Sequence, residues 1–281
     1  MRSSFSLYQI QQPDDFQFSP EEYSRFKFGD ELIARKYGIS LAKAFISEYL
    51  KTNPIQHQIV VISSPYSFIP TATFAMKNYF VYELNKWLSE NNFPVVQETK
   101  VHRSITYKED YGELDAEARI QLIGNDEFHI DKDFLSGKTL IFLDDIKITG
   151  SHEKMILKML DAYGLQNDLH LLYFAELLNK SIHPNIENYL NYKSVSSIFD
   201  LDNIIKSGNF YMNTRIVKYI LNTDSNTFSI FIESQSDDFI NLLFNMALGN
   251  NYHTIEAYTQ NLNHIRDYIN TYNLKQLQNG N

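Results

Sequence analysis

The segment Thr139-Leu-Ile-Phe-Leu-Asp-Asp-Ile-Lys-Ile-Thr-Gly-Ser-His152 constrains the fold more than any other part of the chain. Its first five residues form an apolar run of strand length that stops at two adjacent carboxylates. Gly150 then opens a segment with helical spacing, from about Ser151 to Tyr163. A strand that hands acids to a short loop and continues as a helix is the repeating unit of an open α/β sheet, whose ligands bind beyond the carboxyl ends of the strands. Ile59–Ser63 (IVVIS) repeats the design, closing on Ser64 and Pro65 before a predicted helix from about Thr71 to Glu90. Leu169 to Phe174 supplies a further strand, with shorter ones predicted at Pro94–Val96 and Phe128–Ile130. The expectation is an α/β fold, a parallel sheet flanked by helices with right-handed crossovers.

The flanks read differently. Residues 1–55 form an N-terminal arm and a helix, in which Leu32, Ile33, Leu41, Ala44, Phe45 and Tyr49 recur near helical spacing. Residues 56–176 carry the α/β core. Residues 177–281 are expected to be a mainly helical C-terminal extension, with helices over Phe239–Leu248 and Thr254–Tyr268 and one strand at Phe228–Ile232. Phe239, Ile240, Leu242, Leu243, Phe244, Met246 and Leu248 are apolar nearly all round, so that helix needs partners on more than one side, as part of a pocket or as a homodimer contact.

Composition removes several function classes. The 25 basic and 34 acidic residues leave a net charge of −9, which opposes binding to nucleic-acid backbones and anionic membranes. There is no cysteine, hence no disulfide framework and no thiolate metal site. No signal-peptide pattern or 18-residue apolar run is visible, and a cytoplasmic location is expected. The histidines outside the motif (His57, His102, His129, His170, His183, His253 and His264) show no metal-ligand spacing.

Chemistry therefore concentrates at residues 144–152. Asp144 and Asp145, expected to face solvent at a strand end, can accept hydrogen bonds from vicinal hydroxyls or from metal-bound water. Thr149, Gly150 and Ser151 sit where a helix N-terminus offers free N–H groups to a phosphate. The same residues would also serve a plain polar helix start capped by Thr149 or Ser151. The fixed spacing of the acids from Thr-Gly favours a sugar phosphate. A receiver-type site would need its acids near the first strand, and dehalogenase chemistry would need Asp-x-Asp.

Asp144, Asp145, Ile146, Thr149 and Gly150 resemble the ribose-phosphate motif of type I phosphoribosyltransferases, with a partly ComF-like and orotate-phosphoribosyltransferase-like core. Pro65, Pro70 and Ala72 of Ser63-Ser-Pro-Tyr-Ser-Phe-Ile-Pro-Thr-Ala72 are similar to the family's pyrophosphate loop, with Tyr66 where an Arg often stands. Lys100 to Arg119 resembles its catalytic loop. The resemblance implies phosphoribosyl pyrophosphate as donor, an unidentified acceptor and Mg²⁺. Asp144 and Asp145 would hold the ribose hydroxyls or Mg²⁺, the metal through water, and Lys108 and Arg103 would close over the pyrophosphate. Ile146, Lys147, Ile148, Thr149, Gly150, Ser151 and His152 would form the phosphate loop, while Ser63, Ser64, Tyr66, Ser67, Phe68 and Arg119 would face the rest of the ligand. The departures at Tyr66, Ile148 and His152 keep a second function open, a sensor that binds phosphoribosyl pyrophosphate or a nucleotide without turnover.

Overall fold

The computed structural model describes residues 2–53, 55–103 and 128–278, with side chains to residue 271. Its centre is a five-stranded parallel sheet. In spatial order the strands are β1 (Arg2–Ile10), β7 (Asp168–Leu177), β6 (Thr139–Lys147), β2 (Ile59–Ser63) and β3 (Gln97–Glu98). The period-two alternation of β2, β6 and β7 gives the sheet two apolar faces. Ile59, Val61, Ile141, Leu143, Leu172 and Phe174 pack toward α2 (Glu31–Phe45) and α3 (Ala72–Glu90). Val60, Ile62, Leu140, Phe142, Leu169 and Leu171 pack toward α5 (Ser151–Ala162), whose Met155, Ile156, Met159 and Leu160 recur at helical spacing. Among the described residues no helix is long and apolar enough to cross a membrane.

The N-terminal arm does more than lead into a helix. β1 pairs in parallel with β7 from Arg2↔Leu169 to Ile10↔Leu177 and forms one edge of the sheet. It is followed by α1 (Pro20–Lys27), started by Ser19, whose side chain accepts from Glu22 N–H. A small antiparallel pair, β4 (His102–Arg103) with β5 (Phe128–His129), and the short α4 (Lys132–Leu135) precede β6.

The extension is helical: α6 (Ile186–Tyr192), α7 (Asp202–Ile205), α8 (Thr214–Leu221), α9 (Ser225–Glu233), α10 (Asp237–Gly249) and α11 (Glu256–Gln278). Its apolar cluster takes in Phe28 and Ile69 from outside the extension. Asn250 Oδ1 accepts from the N–H groups of Phe68 and Ile69 at 2.8 and 3.1 Å, so polar bonds also fasten it to the loop after β2.

Two local expectations are corrected. Phe228–Ile232 lies in α9, because Phe228, Phe231 and Ile232 share one buried helical face and Asp224 caps the start through Thr227 N–H. Pairing with β2 comes at Gln97–Glu98 rather than Pro94–Val96, since the Val96 N–H is taken by Asn85 Oδ1 at 2.8 Å. Most of the stretch from Lys100 to Arg119, likened above to a catalytic loop, lies outside the described residues.

Gly38 of α2 sets the closest approach of two helices. A Cβ there would stand 2.3 Å from Met76 O and 2.9 Å from Phe80 N, both backbone atoms of α3. Ala is favoured over Gly in a helix by about 1 kcal/mol, but here the helices would have to part. Gly38→Ala is therefore expected to lower stability by about 2 kcal/mol, measured by urea unfolding.

Candidate functional site

The site is created by strands of unequal reach. β2 accompanies β6 only to Ser63↔Leu143, whereas β7 follows it to Lys147↔Glu176. β6 thus continues beyond the expected end at Leu143, and Asp144 and Asp145 stand in the notch that β2 has left. From β2 the chain moves outward through α3 to β3; from β6 it moves the other way through α5 to β7. The notch is the switch point where open α/β sheets bind ligands.

The acids do not face solvent as expected: Asp144 is 8% exposed and Asp145 is 5% exposed. Asp145 Oδ2 accepts from Tyr23 OH at 2.6 Å and pairs with the Lys27 ammonium, and Oδ1 accepts from Thr73 Oγ1 at 3.1 Å. Burial works against its charge, but Lys27 and these hydrogen bonds hold its carboxyl well below the usual carboxylate range. Burial, reinforced by Asp145, pushes the Tyr23 hydroxyl well above its ordinary value, keeping it a donor. Asp144 Oδ1 accepts from Ser64 Oγ at 2.7 Å, Thr73 Oγ1 at 3.4 Å and Asp145 N at 3.0 Å. Asp144 Oδ2 accepts from His152 Nδ1 at 2.8 Å.

This donor set does not fit a divalent cation on the bare pair. Hard cations need carboxylate oxygens free to coordinate, and those of Asp145 face an ammonium and two hydroxyl donors. Among the described residues no group of three or more His, Asp or Glu converges as a metal-ligand set.

A cavity of about 990 Å³ opens over the acids. Of the helices that begin in its wall, α3 at Thr71 and α5 at Gly150 carry no side-chain cap, while α8 is capped by Asn213. Among the described residues six α-helices carry such a cap: Ser19, Asp30, Asp131, Asn213, Asp224 and Ser236 cap α1, α2, α4, α8, α9 and α10, whereas α6 and α7 also start without one. The buried hydroxyl of Thr71 has no hydrogen-bond partner. Gly150 adopts φ of 72°, which a glycine takes without strain, and turns the chain from β6 into α5. Thr149 Oγ1 and Ser151 Oγ lie 2.7 Å apart beside it.

The cavity brings together Asp144, Asp145, Ile146, Lys147, Ile148, Thr149, Gly150, Ser151, His152, Ser64, Tyr66, Ser67 and Arg103. Lys147 is held by Glu153 and Glu176 at 2.7 and 2.9 Å. Tyr66 is covered by the Lys100 ammonium, 4.1 Å from its ring centre. Ser63 ends β2 outside the cavity lining, and Phe68 stands away from it, its ring against Gly249 of α10. Lys108 and Arg119 lie outside the described residues. Sequence reasoning missed Tyr23 and Lys27, although their i, i+4 spacing puts a lysine on the apolar face of α1, which is the available signal. It also missed Arg215, Lys218 and Tyr219, which line the cavity while Ile216, Val217 and Ile220 of the same helix are buried.

A family model described as ComF-like phosphoribosyltransferase matches residues 1–265. The chain belongs to that family. No curated protein matches it. Among solved structures it is similar to an L. donovani hypoxanthine-guanine phosphoribosyltransferase at 13% identity, covering 52% of this chain and 73% of that one with a TM-score of 0.31. A hypoxanthine phosphoribosyltransferase from Trypanosoma cruzi in complex with IMP has 16% identity, 53% and 72% coverage, and a TM-score of 0.32. The enzyme from Staphylococcus aureus has 10% identity, 60% and 80% coverage, and a TM-score of 0.31.

The depressed carboxyl of Asp145 makes the site's stability depend on pH. Its contribution is complete above the unfolded value of 3.8 and is lost as the pH falls through the lower folded value. At neutral pH, Asp145→Asn leaves the buried Lys27 ammonium unpaired and is expected to cost about 3–5 kcal/mol. In urea unfolding, the gap between parent and variant should stay constant down to about pH 5 and shrink below about pH 4.

Proposed function

We propose that the chain binds phosphoribosyl pyrophosphate in this cavity and transfers its phosphoribosyl group to an acceptor, with pyrophosphate as leaving group. The observation that carries the reading is the convergence of two uncapped helix starts, at Thr71 and Gly150, on one cavity floored by Asp144. A ligand with a phosphate at each end of a sugar satisfies both N-termini, each of which favours an anion. The 5′-phosphate is assigned to the N–H groups at Ser151–Glu153, and the pyrophosphate to the start of α3 with Ser64 and Ser67. Asp144 Oδ2 has His152 as its hydrogen-bond partner and retains lone-pair capacity for a ribose hydroxyl. Its negative charge also favours the positive charge that develops on the ribose ring as the anomeric bond breaks. The walls from α6 and α8, bearing Tyr192, Arg215 and Lys218, would position the acceptor and exclude water. Any Mg²⁺ would arrive on the ligand's own pyrophosphate oxygens.

A second reading, binding without turnover, is favoured by the acids' existing partners, since Lys27, Tyr23 and His152 already satisfy much of their hydrogen-bonding capacity. Calorimetry with phosphoribosyl pyrophosphate, followed by pyrophosphate release over a panel of acceptor bases, separates the two. The expected result is binding, release with at least one acceptor, and affinity at least about tenfold weaker in Ser151→Glu, whose charge opposes the 5′-phosphate. Binding without release across the panel would favour the sensor. Absence of binding would overturn both.

A further inference from the structure

Two adjacent carboxylates buried in one cavity need a compensating cation. The chain supplies one from outside the motif. Lys27, the last residue of α1, reaches Asp145 Oδ2 with its side chain 11% exposed. We propose that Lys27 is the resident counter-cation of the Asp144–Asp145 pair, so that the ligand-free protein takes no divalent cation there and the pair is part-neutralised before any anion arrives. This goes beyond phosphoribosyl transfer and stands or falls independently of it.

Lys27 is anchored at both ends. Its carbonyl accepts from Asn213 Nδ2 at 3.1 Å, and Asn213, 1% exposed, also caps α8. Its ammonium shares Asp145 Oδ2 with Tyr23, one helical turn back, and lies 5.7 Å from the Tyr23 ring centre. The neighbouring helix α6 holds α1 through Ser24 Oγ, which donates to Asn191 O at 2.8 Å. The other helical cation of α1, Arg25, turns away to Asp30 at 2.6 Å. Lys27 also lines the cavity, so its ammonium cancels the charge of one of the two carboxylates and lowers the repulsion an anion would meet where the two uncapped helix starts converge. A cation held by helix packing is present before any ligand arrives, whereas a divalent ion on the same carboxylates would have to displace it against the Coulombic repulsion of like charges.

The test is titration of the full-length protein with Mn²⁺ alone, free metal being followed by electron paramagnetic resonance. The parent is expected to show no site tighter than about 1 mM that depends on Asp145. Lys27→Met should gain one site roughly tenfold tighter or more, because a repelling charge has gone, and Lys27→Met/Asp145→Asn should lose it. Lys27→Gln, which keeps a hydrogen-bond donor, provides a second uncharged variant if Lys27→Met does not fold, and should gain the same site. A parent site tighter than that limit and removed by Asp145→Asn would overturn the proposal. So would a folded Lys27→Met or Lys27→Gln protein with no gain in Mn²⁺ affinity.

Discussion

The ion pair between Lys27 and Asp145 is the contact on which the arrangement of the molecule turns. A carboxylate 5% exposed is tolerable only with a partner, and the partner comes more than a hundred residues earlier in the chain. The pair joins three regions of different origin: α1 gives the ammonium, β6 gives the carboxylate, and Asn213 at the start of α8 fixes the lysine backbone. Tyr23 and Thr73 complete the shell with hydroxyl donors from α1 and α3. With these contacts made, the N-terminal segment, the sheet and the helical extension are held in one geometry around the cavity.

Side-chain capping is uneven among the helices. Side chains of Ser19, Asp30, Asp131, Asn213, Asp224 and Ser236 satisfy early N–H groups of six helices, each contributing about 1 kcal/mol of stability. The starts of α3 and α5 have no such side chain, and both open on the cavity. An uncapped helix start leaves N–H groups free to receive an anion. The cavity wall from α8 adds Arg215 and Lys218 to the positive side of this field.

Much of the core was legible because its signals are local. The apolar runs at Ile59–Ser63 and Thr139–Leu143, the carboxylate pair and the Thr149–Gly150 turn fall within short windows whose periodicity changes from strand to helix. β1 was missed although Ser4-Phe5-Ser6-Leu7 alternates in period two, because that strand exists only by pairing with β7, far away in sequence. The burial of Asp144 and Asp145 was equally unreadable, since adjacent acids look like surface residues until a distant lysine and tyrosine are brought to them. Phe228–Ile232 was misread for the opposite reason: a short apolar run suits either element, and the Asp224 cap decides for helix.

The most direct measurement of the account is a crystal structure of the chain with ribose 5-phosphate. The expected result is a phosphate at the N-terminus of α5, against the N–H groups following Gly150, with a ribose hydroxyl on Asp144 and the Lys27–Asp145 pair intact. A phosphate bound elsewhere, or a sugar that takes Asp145 by pulling Lys27 away, would contradict it.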